Sequence, residues 1–140
     1  MTSNQKTILE QMAQASKNTL GETLGIKIIE LSPQKVVATM PVDHRTHQPY
    51  GLLHGGASVA LAETVASVGG MISVMDQGKW VVGLEINANH LKSVKSGLVT
   101  ATGIPIHQGR GTQVWEIKIN DEAQNLICIS RCTLAVKDKV

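Results

Sequence analysis

Phenylalanine is absent, and two Trp and one Tyr are all the aromatic rings that 140 residues carry apart from His. Without aromatic bulk the core must be filled by aliphatic side chains, and a surface that stacks nucleic-acid bases on exposed rings has almost nothing to build with. Cysteine is nearly as scarce. Cys128 and Cys132 stand four apart in a segment that reads as a strand, where same-face residues at that spacing lie roughly 13 Å from each other, too far to bridge. A disulfide-stapled secreted scaffold is therefore not expected. Charge of one sign is missing too: 13 Lys and Arg offset 11 Asp and Glu, for a formal +2, and the basic residues are scattered rather than run together. That balance does not point to nucleic acid. The N-terminus, Met1-Thr2-Ser3-Asn4-Gln5-Lys6, shows no positive stretch followed by an apolar run. No secretory signal is visible, and a reducing cytoplasm is the expected setting.

What is present suits one folded domain. With 42% apolar and 17% charged residues, a chain of this length buries roughly two-thirds of its unfolded surface without metal or disulfide support. Ile8, Leu9, Met12 and Ala15 recur at three- and four-residue steps, which marks a short amphipathic helix or arm within residues 1–20. A single domain over 21–140 follows it. Residues 26–31 and 36–42, joined by Ser32-Pro33-Gln34, read as a hairpin. Residues 80–90, 98–106, 113–120 and 126–136 read as four more strands, with turn chemistry at 107–111 and 120–125.

Between these two groups, residues 57–75 are apolar nearly all round and built mostly of small side chains, as for a helix enclosed on several sides. The length approaches a membrane span. Ala, Gly, Ser and Thr supply little transfer energy, however, and the central Glu63 adds a cost of several kcal/mol in hydrocarbon, so no membrane is expected. The order is helix or arm, two strands, one long buried helix, four strands. This predicts an α+β fold, an antiparallel sheet with one helix against its face.

His54-Gly55-Gly56 directly precedes the long helix. Bare glycines leave the first amide N–H groups uncovered and the helix dipole points the same way, so the spot favours developing negative charge and can polarise a carbonyl oxygen. The plainer reading is that glycines let the helix enter a crowded interior. Glu63, among Leu61, Ala62, Val65 and Ala66, has no basic residue within one helical turn. Its burial is costly unless the site uses it or an Arg reaches it across an interface. Ser67, four residues on, shares its helix face. Gly55 and Glu63 are eight residues apart, roughly 12 Å along one helix, so one carbonyl cannot touch both. If both act on one bond, they come from different chains whose helices lie antiparallel across a dimer axis.

His54 at the helix start and Gln48 in the loop before it join the candidates. His44 and His47, with Asp43, lack a further His or Cys close in sequence to complete a metal set, so no metal is expected. His90 and His107 fall near strand ends, where a histidine is ordinarily a surface residue. Lys92, Lys95, Arg110 and Arg131 lie near strand ends or turns, open to an anion or simply solvated.

The runs Thr46-His47-Gln48-Pro49-Tyr50-Gly51-Leu52-Leu53-His54-Gly55-Gly56-Ala57-Ser58, Leu61-Ala62-Glu63 and Val82-Gly83-Leu84-Glu85-Ile86-Asn87-Ala88-Asn89-His90 resemble those of the hotdog-fold acyl-CoA thioesterases of the phenylacetate-degradation type. The likeness is greatest to the branch that hydrolyses 1,4-dihydroxy-2-naphthoyl-CoA in menaquinone biosynthesis and to its enterobactin-pathway proofreading relatives, and it covers nearly the whole chain. It implies a sheet wrapped around one long central helix, homodimers with a continuous sheet, and homotetramers formed as dimers of dimers. By position it implies that the region of Gly55 and Gly56 supplies the backbone donor for the thioester oxygen, and that Gln48 and His54 orient the thioester or a water. Glu63 of a partner chain is implied as nucleophile or general base, assisted by Ser67. Coenzyme A contacts are implied at Gly83, at His90, Leu91, Lys92 and Ser93, and at His107, Gly109 and Arg110, with Val68 and Met71 lining the acyl pocket. No cofactor is implied, because coenzyme A belongs to the substrate. Tyr50 stands where the relatives tend to carry Phe. Two rival readings use the same fold: a non-catalytic acyl-CoA sensor, which leaves Glu63 unexplained, and a hydratase, for which the loop carries no clear His–Asp pairing.

Overall fold

The structure is a computed structural model and describes residues 2–139. Helix α1 (Ser3–Ala15) starts on a capping box, in which the Thr2 hydroxyl accepts from the Gln5 amide while the Gln5 side chain accepts from the Thr2 amide. Its Ile8, Leu9 and Met12 pack on the core beside strand β1 (Lys27–Ser32). A five-residue helix, α2 (Leu20–Leu24), stops at Gly25 in the left-handed region, φ 76°. It is too short to show as periodicity in the sequence.

Strand β1 turns into β2 (Lys35–Val42) through Ser32, whose hydroxyl accepts from the Gln34 and Lys35 amides. After the loop that carries the candidate residues comes α3 (Gly55–Val74), followed by β3 (Lys79–His90), β4 (Gly97–Gln108), β5 (Thr112–Asn120) and β6 (Leu126–Asp138). The six strands form one sheet in the order β1-β2-β4-β5-β6-β3, antiparallel throughout. The long crossover from β2 to β3 places β3 at the far edge, with one side unpaired. Strand β4 runs past the expected end at 106 because a bulge between Pro105 and His107 lets pairing with β5 resume, so His107 lies within the strand.

Alternation along β5 turns Trp115, Ile117 and Ile119 inward, all completely buried. Helix α3 lies across this face and touches every strand. The approach is close: a Cβ on Gly69 would fall 2.3 Å from Cη2 of Trp115. A buried polar chain ties the same region together. The Trp115 indole donates to Gln113 Oε1 at 2.8 Å, the Gln113 amide donates to the Ser73 hydroxyl at 2.8 Å, and that hydroxyl donates to the Gly70 carbonyl at 2.7 Å. Cys128 and Cys132 are buried and unbridged.

The expected antiparallel sheet with one long central helix is the fold found, and within this chain the sheet leaves one side of the helix open. Ala57, Leu61, Ala62, Val65, Ala66 and Gly69 are buried against the sheet, but a single sheet covers only one side of a rod. Val59, Ala60, Glu63, Thr64, Ser67, Val68 and Ile72 are only half-buried, and Met71 is exposed. Among the described residues, the stretch Gly55–Gln77 is the one helix long and apolar enough to cross a membrane, and 44% of its apolar window is buried inside the fold.

Candidate active site

The loop between β2 and α3 is held from both ends. Thr46 is buried and donates its hydroxyl to the Pro41 carbonyl at 2.8 Å, while its own carbonyl accepts from the His54 amide at 2.8 Å. Nε2 of His47 donates to the Lys95 carbonyl at 2.8 Å, and the Leu53 amide donates to the Val94 carbonyl at 2.8 Å, which fastens the loop to the segment after β3. At its start, the Arg45 guanidinium beside Asp43 holds that carboxyl down at about 2. Gln48 turns the chain: its amide donates to the Leu52 carbonyl, and its side-chain oxygen accepts from the Tyr50 amide. With Oε1 taken up by the loop's own backbone, Gln48 presents its NH₂ outward.

His54 caps α3. Its Nδ1 accepts from the Gly56 amide at 2.7 Å, and its carbonyl accepts from the amides of Ala57 and Ser58. Neutral His54 therefore carries its proton on Nε2. Among the described residues, no acceptor meets the Gly55 amide, so α3 begins with one unclaimed N–H. A cavity of about 390 Å³ opens there, lined by Gln48, Gly55, His90, Leu91, Lys92 and Ser93 together with Ser58 and Ile127. The His90 ring covers the bare Cα of Gly55: a Cβ at that position would lie 2.9 Å from Nε2.

Glu63 sits two turns along α3 on the uncovered stripe, half-buried, with Ser67, Val68 and Met71 following it toward the C-terminal end. Its carboxylate rests on Gly83 of β3, and among the described residues no ion pair reaches it. Within one chain Glu63 and Gly55 stay roughly 12 Å apart along the helix. His107, Gly109 and Arg110 lie at the opposite end of α3 from His90–Ser93. Gly109 and Arg110 line a second cavity of about 270 Å³ with Ser73, Gln77, Lys79 and Gln113.

Two further groups lie here beside the candidates named from the sequence. Ser58 is buried in the first turn of α3 and lines the cavity beside Gly55. Cys132 faces inward on β6, where burial, followed by the negative charges of Glu63 and Glu85, pushes its thiol up to about 12. Strand alternation places Cys132 on the inner face, but its nearness to Glu63 depends on β3 and β6 pairing across the sheet.

Residues 50–128 match the thioesterase superfamily model. The chain is 56% identical over 120 residues to the 1,4-dihydroxy-2-naphthoyl-CoA hydrolase of Listeria monocytogenes, a match covering 86% of this chain and 97% of that protein. Its fold superposes on a thioesterase from Haemophilus influenzae with a TM-score of 0.89 and 52% identity, covering 93% of this chain and 90% of that one. It superposes on a thioesterase from Staphylococcus aureus with a TM-score of 0.81 and 44% identity, covering 84% of this chain and 98% of that one. The Staphylococcus protein was solved in two variant forms, one Gln to Ala and one Glu to Ala, at positions fifteen apart in its chain, the spacing of Gln48 and Glu63 here.

Proposed function

The chain belongs to the thioesterase superfamily and is a thioester hydrolase, and we propose that it cleaves an acyl- or aroyl-CoA thioester to the free acid and coenzyme A in a site shared by two chains. The observation that carries this reading is the pairing of a Gly55 amide with a Glu63 carboxylate, the first without an acceptor and the second without a cationic partner among the described residues. The amide receives the thioester oxygen as it gains charge, which is worth about 2.7–4 kcal/mol per donor in sites of this kind. Glu63 of the partner chain attacks the carbonyl carbon and the C–S bond breaks, releasing the coenzyme A thiolate and leaving an anhydride that water then hydrolyses to the acid; or Glu63 takes the proton from an attacking water, and the tetrahedral adduct expels the thiolate, which receives that proton. The Gln48 NH₂ and His54 Nε2–H orient the thioester or that water, and Ser67 assists from the Glu63 face. The scheme uses side chains and backbone alone, and coenzyme A enters only as part of the substrate.

The uncovered stripe of α3 and the unpaired edge of β3 support the dimer. Two copies with antiparallel α3 helices cover each other's stripe and continue the sheet through β3. Setting Gly55 against the partner's Glu63 carries the far end of the partner's α3 beyond the Gly55 end of this chain. The partner's Gly109 and Arg110 thereby come to the side on which His90–Ser93 stand. This is how two groups at opposite ends of one helix serve one coenzyme A, with the acyl group between Val68 and Met71. We propose a dimer of dimers in the cytoplasm, acting on an aroyl-CoA related to 1,4-dihydroxy-2-naphthoyl-CoA.

A panel of aroyl-CoA and fatty acyl-CoA thioesters, followed by thiol release, tests the reading. Turnover fastest with aroyl groups is expected. Tight binding of the panel without thiol release would instead make the protein an acyl-CoA sensor.

A further inference from the structure

We propose that His90 is a second donor to the thioester oxygen, through Nε2–H beside the Gly55 amide; this rests on the hydrolase reading above. Stabilising an oxyanion generally takes more than one aimed donor, and the start of α3 supplies fewer than its two glycines promise. The Gly56 amide is spent on His54 Nδ1 at 2.7 Å, and those of Ala57 and Ser58 are spent on the His54 carbonyl. Only Gly55 remains.

The His90 ring lies where the missing donor is needed. A Cβ built on Gly55 would be 2.9 Å from Nε2, 3.2 Å from Cε1 and 3.3 Å from Cδ2, so the imidazole covers the glycine with its Nε2 side closest. An amide nitrogen stands roughly 2.5 Å from its own Cβ position, so Gly55 N and His90 Nε2 are at most about 5.4 Å apart. One oxygen about 2.9 Å from each is therefore possible. Both groups border the same cavity, and among the described residues nothing hydrogen-bonds the His90 ring. This also explains the residue type at 55: any side chain there would push the imidazole off the oxygen position.

A coenzyme A contact and an oxyanion donor make different demands on His90. The test compares His90→Leu and His90→Asn with the wild-type oligomer, using one acyl group carried either on coenzyme A or on N-acetylcysteamine, which lacks the nucleotide. In His90→Leu, kcat should fall about a hundredfold on both substrates. His90→Asn, which keeps an N–H, should recover part of the loss. The melting temperature should not move, because the ring is exposed and unbonded. A rise in KM confined to the coenzyme A substrate overturns the proposal.

A second readout needs no turnover. The infrared C=O stretch of a ketone analogue, with CH₂ in place of sulfur, should shift down on binding to the wild type and shift less in His90→Leu. An equal shift in both overturns the donor role and leaves the hydrolase reading standing. Failure of the wild type both to bind the analogue and to release thiol removes both.

Discussion

The Glu63 carboxylate rests on the bare backbone of Gly83, so that a Cβ there would lie 2.8 Å from Oε2 and 3.4 Å from the carboxyl carbon. Gly83 also begins the bulge in the pairing of β3 with β6. The site is thus set from below by a strand and from the side by a helix. Gly83→Ala should tilt the carboxylate by about an ångström and lower kcat about a hundredfold. Because the displaced atoms are the free end of a flexible side chain, the unfolding midpoint should stay near wild type. Steady-state kinetics beside a urea titration checks both halves.

Gly69→Ala should do the reverse. Its Cβ would meet Cη2 of the completely buried Trp115 at 2.3 Å and Cζ2 at 2.7 Å, and neither the ring nor the helix has room to yield. Overpacking of this kind costs about 1–3 kcal/mol, to be read as a lower denaturant midpoint.

His54 has two separable jobs, capping through Nδ1 and presenting Nε2–H. His54→Ala should lose about 1 kcal/mol of stability with the cap. His54→Asn should restore the cap, and with it the stability, but not the rate. Calorimetry and thiol release on the same preparations separate the two.

Cys132 makes alkaline pH destabilising. Its thiol is raised in the fold from 9.0 to about 12, so the folded state resists its ionisation. Stability should be full below pH 9 and decline as pH rises toward 12, because the unfolded chain alone can release the proton. Urea midpoints at about pH 8 and about pH 10.5 should diverge, and Cys132→Ala should narrow the gap. Burial likewise raises Cys128, so a residual slope remains.

Much of this molecule is legible along the chain. Period-two alternation in β5 identifies Trp115, Ile117 and Ile119 as core, and the small-residue run identifies α3, because both signals are local and repeat many times. The loop from Thr46 to His54 and the lone acid at 63 stand out by residue type. The division of labour between Gly55 and Gly56 does not, because it depends on which way the His54 ring turns. The same holds for Gly83 under Glu63 and His90 over Gly55. Each pair joins a strand to a helix many residues away, and only the crossover that puts β3 at the sheet edge brings them together.

The claim on which the rest depends is that Gln48 and Gly55 of one chain work with Glu63 of another. Mixing Glu63→Gln subunits with Gln48→Ala subunits, each crippled alone, and letting them exchange tests it directly. Hybrid dimers then hold one intact site and one doubly altered site, so an equal mixture should regain about a quarter of wild-type activity. If mass spectrometry shows hybrids and no activity returns, each site lies within a single chain and the shared-site account is contradicted.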